Sequence, residues 1–132
     1  MQQSKANSGP ILRLFEARAR QGCSEELLRK FATTSAEVVR NKPGNAGYFF
    51  GRGVASDDNI VMFASIWDDL SAVQNCFGKD WQSSYLPEGY EELIDECSVR
   101  HFDLSSIWAH SRILGRAERL IAVSGDLPLN VN

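Results

Sequence analysis

Cysteine is scarce in this chain of 132 residues. Cys23, Cys76 and Cys97 make an odd set without a C-x-x-C pair, which argues against a disulfide framework and against a zinc knuckle. A reduced, cytoplasmic protein is the expectation, with cysteines that pack rather than ligate. Positive charge is not in excess either: 14 Lys and Arg stand against 17 Asp and Glu, for a formal net charge of −3. A nucleic-acid binder normally carries a basic stripe, and no cluster of four basic residues is found, so no nucleic-acid partner is expected. The longest apolar stretch, Ile60 to Trp67, includes Ser65 and falls far short of the roughly 20 residues that cross a bilayer; no membrane span is expected. Met1 to Pro10 is polar, lacks the apolar core of a secretory signal, and reads as a flexible N-terminal tail (residues 1–10). No repeat of solenoid length is visible.

What is present has the composition of an ordinary globular domain, 43% hydrophobic and 23% charged. The length suits one domain. Ile11 to Ala19, bounded by Pro10 and Gly22, reads as a strand. Ser24 then opens a helix whose first turn carries Glu25 and Glu26, suited to its positive end. Leu27, Leu28, Phe31, Ser35, Val38 and Val39 form one stripe at a period of 3.6, and Asn41-Lys42-Pro43-Gly44 stops it. Tyr48 to Ala55 and Asn59 to Trp67 read as a hairpin around Ser56-Asp57-Asp58. Asp68 and Asp69 are caps for a second helix through Leu70, Val73 and Phe77, ending at Gly78. An irregular stretch with Trp81 and Tyr85 follows, Glu91 to Ile94 is a further turn, and Cys97 to Leu104 reads as the last strand.

The order β-α-β-β-α-β is the ferredoxin-like split arrangement, an α+β fold. Two helices cover one face of its sheet. On the strand from Ile60 to Trp67, however, Ile60, Met62, Ala64 and Ile66 point one way and Val61, Phe63, Ser65 and Trp67 the other; both faces are largely apolar, so both need cover. A partner's sheet would supply the second cover, which predicts a homodimer. The stretch 105–132 is too apolar for a solvated tail and reads as a C-terminal extension, partly helical, beyond the domain at 11–104.

The strand Ile11–Ala19, the helix from Ser24 to Arg40, the Lys42-Pro43-Gly44 break before Gly47-Tyr48-Phe49, and above all the strand ending Phe63-Ala64-Ser65-Ile66-Trp67 before Asp68-Asp69 resemble the antibiotic biosynthesis monooxygenase-like family. That resemblance implies a dimeric α+β barrel. It also implies a cofactor-independent monooxygenase, with no cofactor and a small aromatic substrate: a phenol, a quinol or a polyketide-like compound. The oxygenases of this family use a Trp and an Asn on the third strand; Trp67 matches the Trp, and Phe63 stands at the Asn position. The heme-degrading members use an Asn, a Trp and a His whose positions here hold Ala17, Cys76 and Leu86, so heme degradation is not implied. The alternative is a non-catalytic small-ligand-binding or interaction module of the same dimeric fold.

Several residues are candidates for the site, each with a plainer reading beside it. Trp67 either lines a substrate cavity or closes the sheet end, with Phe63 beside it on the same face. Trp81 and Tyr85 either clamp a flat ligand or lid the core. His101 shares a strand face with Val99 and Asp103 and is a candidate general base near neutral pH, or a satisfied surface histidine. Arg52, between Gly51 and Gly53, either binds an anionic substrate or pairs with an acid across the dimer. The acidic residues Glu88, Glu91, Glu92, Asp95 and Glu96 lack the His or glycine-turn pattern of a metal site, so no metal is expected.

Overall fold

The computed structural model describes residues 9–105. The N-terminal residues 1–8 and the expected helical extension over 106–132 lie outside them. One antiparallel sheet of four strands has the order β2-β3-β1-β4, built from β1 (Ile11–Ala19), β2 (Asn45–Arg52), β3 (Ile60–Trp67) and β4 (Ile94–Asp103). The first helical rod comprises α1 (Ser24–Lys30), a π turn at Phe31–Ser35, and α2 (Ala36–Val39). The second helix is α3 (Leu70–Phe77). This is the expected ferredoxin-like α+β fold, with both connections of the split β-α-β type.

The register fixes which side chains share the covered face. β1 pairs with β3 through Arg13↔Ser65 and Phe15↔Phe63, with β4 through Arg13↔His101, and β2 pairs with β3 through Tyr48↔Ser65. One rung across all four strands therefore carries Tyr48, Ser65, Arg13 and His101 towards the helices. Phe31, fully buried on the π turn, is the hub of the core. Its ring centroid lies 5.6 Å from Phe63, 6.0 Å from Phe15 and 6.3 Å from Phe50. Burying one such ring contributes roughly 3 kcal/mol at most.

Three local differences from the sequence reading have identifiable causes. The first helix is not one unbroken 3.6-residue spiral, because the π turn inserts an extra residue per turn. There the Tyr90 hydroxyl donates to the Lys30 carbonyl at 3.0 Å. Its single proton is thereby used, so the Ser35 hydroxyl 2.7 Å away donates to it. β2 starts at Asn45 rather than Tyr48, through an irregularity between Asn45 and Gly47 that the Asn45 side-chain amide spans, donating to the carbonyls of Gly47 and Ile66. It ends at Arg52 rather than Ala55, because Ala55 has a φ of 58°, which a strand does not accommodate. β4 begins at Ile94, ahead of Cys97, directly after the short 3-10 turn Glu91–Leu93.

The second helix begins as its acidic residues suggest. Asp69 is the N-cap, and its carboxylate accepts the Ala72 backbone N–H at 2.9 Å. Gly44, at φ 86°, lies against this helix so closely that a Cβ would collide with that of Ala72. The turn before β2 and the start of α3 thus require glycine at this point.

The opposite face of the sheet carries Leu12 and Leu14 from β1, Phe49 from β2, Met62 and Ile66 from β3, and Phe102 from β4, by alternation from the registered pairs. None of these six is buried in the protomer, and Phe102 is 40% exposed. Among the described residues, no helix is long and apolar enough to cross a membrane.

Candidate active site

A small cavity lies between the covered sheet face and the helices. Arg13, Phe63 and Ser65 form its floor, Ser35 and Tyr90 one wall, and Phe77, Tyr85 and Pro87 the other side. Its free space is about 40 Å³. That holds a few waters; a benzene ring occupies a cavity of about 150 Å³. Tyr85, 55% exposed at the rim, is the large side chain that a ring must push outward.

Arg13 dominates the floor chemically. It is 5% exposed, and its bonded partners are all neutral. One terminal nitrogen, Nη1, donates to the Trp81 carbonyl at 2.6 Å and lies 3.1 Å from His101 Nε2. The other, Nη2, donates to the Ser83 carbonyl at 3.3 Å. The guanidinium also lies 3.7 Å over the centre of the Phe77 ring, a cation–π contact strengthened by burial. No described carboxylate forms an ion pair with it. Burial pulls its pKa from 12.5 to about 10, and the nearby Cys76 thiol works in the opposite direction. Arg13 thus remains a cation at neutral pH, buried with no counter-ion among the described residues.

His101 is governed by this neighbour. Burial, and then the charge of Arg13, pull its pKa from 6.5 to about 4. The ring is neutral at neutral pH. Because Arg13 only donates, Nε2 is the accepting nitrogen and the proton sits on Nδ1. Trp81 packs edge-on against the imidazole at 4.9 Å. His101 with Nε2 engaged is therefore a brace for the guanidinium, and this geometry offers a weaker base than the sequence suggests.

The other candidate residues fall into separate places. Phe63 and Tyr85 line the cavity with Arg13. Trp67 does not line it: the indole is fully buried, and its N–H donates to the Ser65 hydroxyl at 2.9 Å. Ser65 does line it, so Trp67 orients a cavity hydroxyl from behind. Trp81 reaches Arg13 through its carbonyl, and its ring stands with His101 at the β4 edge, outside the cavity. Arg52 lies four residues further along the sheet, in the rung of Val61 and Ala17, and pairs with Glu25 of α1 at 3.6 Å. Arg52 and His101 are not brought together. Cys76, whose thiol burial pushes up, donates to the Val38 carbonyl at 3.8 Å. All three cysteines are free. Among the described residues, no group of three or more His, Cys, Asp or Glu is placed to hold a metal ion.

Among the cavity residues that the sequence reading did not single out are Arg13, Ser65 and Tyr90. Arg13 left a signal. In Ile11, Arg13, Phe15, Ala17, Ala19 it is the only polar member of one alternating set, and a lone cation in a buried phase marks a functional position. Tyr90 left none, since it reaches the cavity from the irregular segment after α3.

A family model described as antibiotic biosynthesis monooxygenase matches residues 10–80, which is 71 of the 132 positions. Solved structures show the same fold at low identity. A protein of Shewanella oneidensis superposes with a TM-score of 0.59 at 20% identity, covering 73% of this chain and 91% of its own. A variant of SnoaB, a cofactor-independent oxygenase from Streptomyces nogalater, gives 0.57 at 16%, covering 76% and 98%. A heme-degrading protein from Mycobacterium tuberculosis gives 0.53 at 21%, covering 79% and 100%. No curated protein matches the chain in sequence.

Proposed function

The chain belongs to the antibiotic biosynthesis monooxygenase family, and from that premise we propose that it is a cofactor-independent monooxygenase of a small aromatic phenol or quinol, acting as a homodimer in the cytoplasm. The observation that carries this reading is the cavity floor: a buried guanidinium, an oriented hydroxyl and aromatic walls gathered between sheet and helices. The folds of an oxygenase and of a heme-degrading protein are both close to this one, and fold alone does not choose between chemistries. The cavity residues favour the first. Among the described residues the one imidazole is that of His101, and its Nε2 is committed to Arg13, which leaves it poorly placed as a heme ligand.

For a methylene activated by a ring hydroxyl, the net step converts the methylene and one molecule of dioxygen into a ketone and one molecule of water. The substrate carbon loses a proton, and its carbanion passes one electron to dioxygen. The resulting radical and superoxide couple to a peroxide, which takes back the proton. The second C–H proton then leaves the carbon as the O–O bond breaks, one oxygen staying on carbon and the other departing as water. The protein's part is to hold the ring, stabilise negative charge as it develops, and keep water out. Arg13 supplies the positive charge, Ser65 a hydroxyl fixed by Trp67, and Phe63 and Tyr85 the ring contacts. In this scheme Arg52 serves structure, through Glu25.

The dimer reading rests on the uncovered sheet face. Leu12, Leu14, Phe49, Met62, Ile66 and Phe102 share this face with the Glu16–Arg100 ion pair, a largely apolar surface with a polar margin of the kind that marks an interface. Sedimentation at micromolar concentration is expected to give a dimer, and a stable folded monomer would overturn it. Oxygen uptake with a panel of hydroquinones and anthrones tests the activity. Uptake that falls in Trp67→Phe and Arg13→Met supports the assignment. No uptake above buffer, with ligands still raising the melting temperature, would leave a binding module in its place.

A further inference from the structure

We infer that the cavity selects aromatic ligands carrying an ionised oxygen, a phenolate or a ring carboxylate, and that Arg13 is the residue that receives it. This rests on the proposed aromatic-binding role of the same cavity and names the charge state of what binds there.

A buried charge is normally paired, and breaking such a pair leaves an expensive uncompensated ion. Arg13 is 5% exposed, yet no described carboxylate pairs with it, and its partners are two backbone carbonyls and a neutral imidazole. A guanidinium offers five N–H donors in a fixed planar fork. Three are used by these bonds, and Arg13 faces the cavity, so donors remain for a ligand. The three neutral acceptors fix the fork without cancelling its charge. Phe77 covers one face of the guanidinium, which leaves the in-plane edge as the approach.

The surroundings make the charge selective. Phe15, Phe63, Phe77 and Val38 line the same cavity, so an anion without an apolar body gains little there, and a neutral ring leaves the cation uncompensated. Only a ligand with both parts satisfies the site. Hydrogen bonds between charged groups in a dry site are the strong ones. The bound phenol should therefore ionise more easily than the free one, which is the first step the proposed oxygenation needs.

The test uses two ring probes of nearly equal shape, 4-nitrophenolate and nitrobenzene, titrated into the full-length protein by calorimetry, with oxygen uptake not read at all. The expected result is tighter binding of 4-nitrophenolate, by about tenfold or more. The visible phenolate band should show the apparent pKa of the bound nitrophenol lowered by about one unit, which corresponds to a tenfold preference for the ionised over the neutral phenol. In Arg13→Met the preference should collapse to about one, while Arg52→Met should leave it unchanged. Equal affinity for the two probes in the unaltered protein, or no binding of either, overturns the inference, and this holds whether or not Arg13→Met folds. Because the readout is binding, its failure leaves the oxygenase reading to be decided by oxygen uptake alone.

Discussion

Arg13 and Arg52 lie on the same covered face of one sheet, on β1 and β2, about four residues apart along the strands. Arg13 is 5% exposed and bound only to neutral acceptors. The Arg52 side chain is 29% exposed and pairs with Glu25, itself 69% exposed, at 3.6 Å. The second arrangement sets charge beside charge at a partly exposed site, contributing about 1 kcal/mol or less, although the Arg52 Nε is buried without a hydrogen-bond partner among the described residues. The first is costly for stability alone, since no described carboxylate neutralises it. An uncompensated cation kept in a dry, aromatic-walled cavity is better explained by what it receives than by what it stabilises.

The contrast is sharpest under charge reversal. Arg13→Glu places an unpaired carboxylate against two carbonyl oxygens and should cost about 3–5 kcal/mol, or prevent folding. Arg52→Glu, at the wetter site, should cost about 1 kcal/mol, mainly by repulsion from Glu25. Denaturant melts of the two variants measure both, and similar losses would mean that the sites do not differ as described. Next in size is Trp67→Phe, which shrinks a fully buried side chain and removes the donor to Ser65; a loss of about 2 kcal/mol is expected, with ring binding weakened as well.

The pH dependence of stability separates the two ends by a different route. His101 has a folded pKa of about 4 against 6.5 when exposed. Below 6.5 the unfolded chain takes up a proton that the folded one refuses, so stability should decline as the pH falls from 6.5 towards 4. His101→Leu should remove that part of the decline, as followed by melts across the range. The smallest effect is expected from Glu25→Gln, within about 0.5 kcal/mol; a larger loss would make the Arg52 end more than a surface pair.

Much of the architecture was legible in the chain. The acidic caps at Asp68 and Asp69, the Pro43-Gly44 stop and the two-sided apolar strand Ile60–Trp67 are local signals, and local signals fix element type and order. The π turn was not legible, because Phe31-Ala32-Thr33-Thr34-Ser35 fits an α-helical stripe equally well and the extra residue is set by Tyr90, distant in sequence. The cavity was half legible. Phe63 and Tyr85 could be named from composition and position, but Arg13 meets His101 only through the β1–β4 register and reaches Trp81 through a loop carbonyl. Trp67 was located correctly on its strand, yet its contact with the cavity runs through Ser65, which depends on a side-chain rotamer that no pattern reveals. The depressed pKa of His101 likewise follows from burial and from Arg13, neither of which is visible along β4 itself.

The most direct test of the central claim is a crystal structure of the protein with 4-bromophenolate, whose bromine locates the ring without ambiguity. The expected result is the ring between Phe63 and Phe77 with Tyr85 displaced outward, and the phenolate oxygen within about 2.7–3.2 Å of the Arg13 guanidinium. A ring bound outside this cavity, or one inside it with the oxygen turned away from Arg13, would contradict the account.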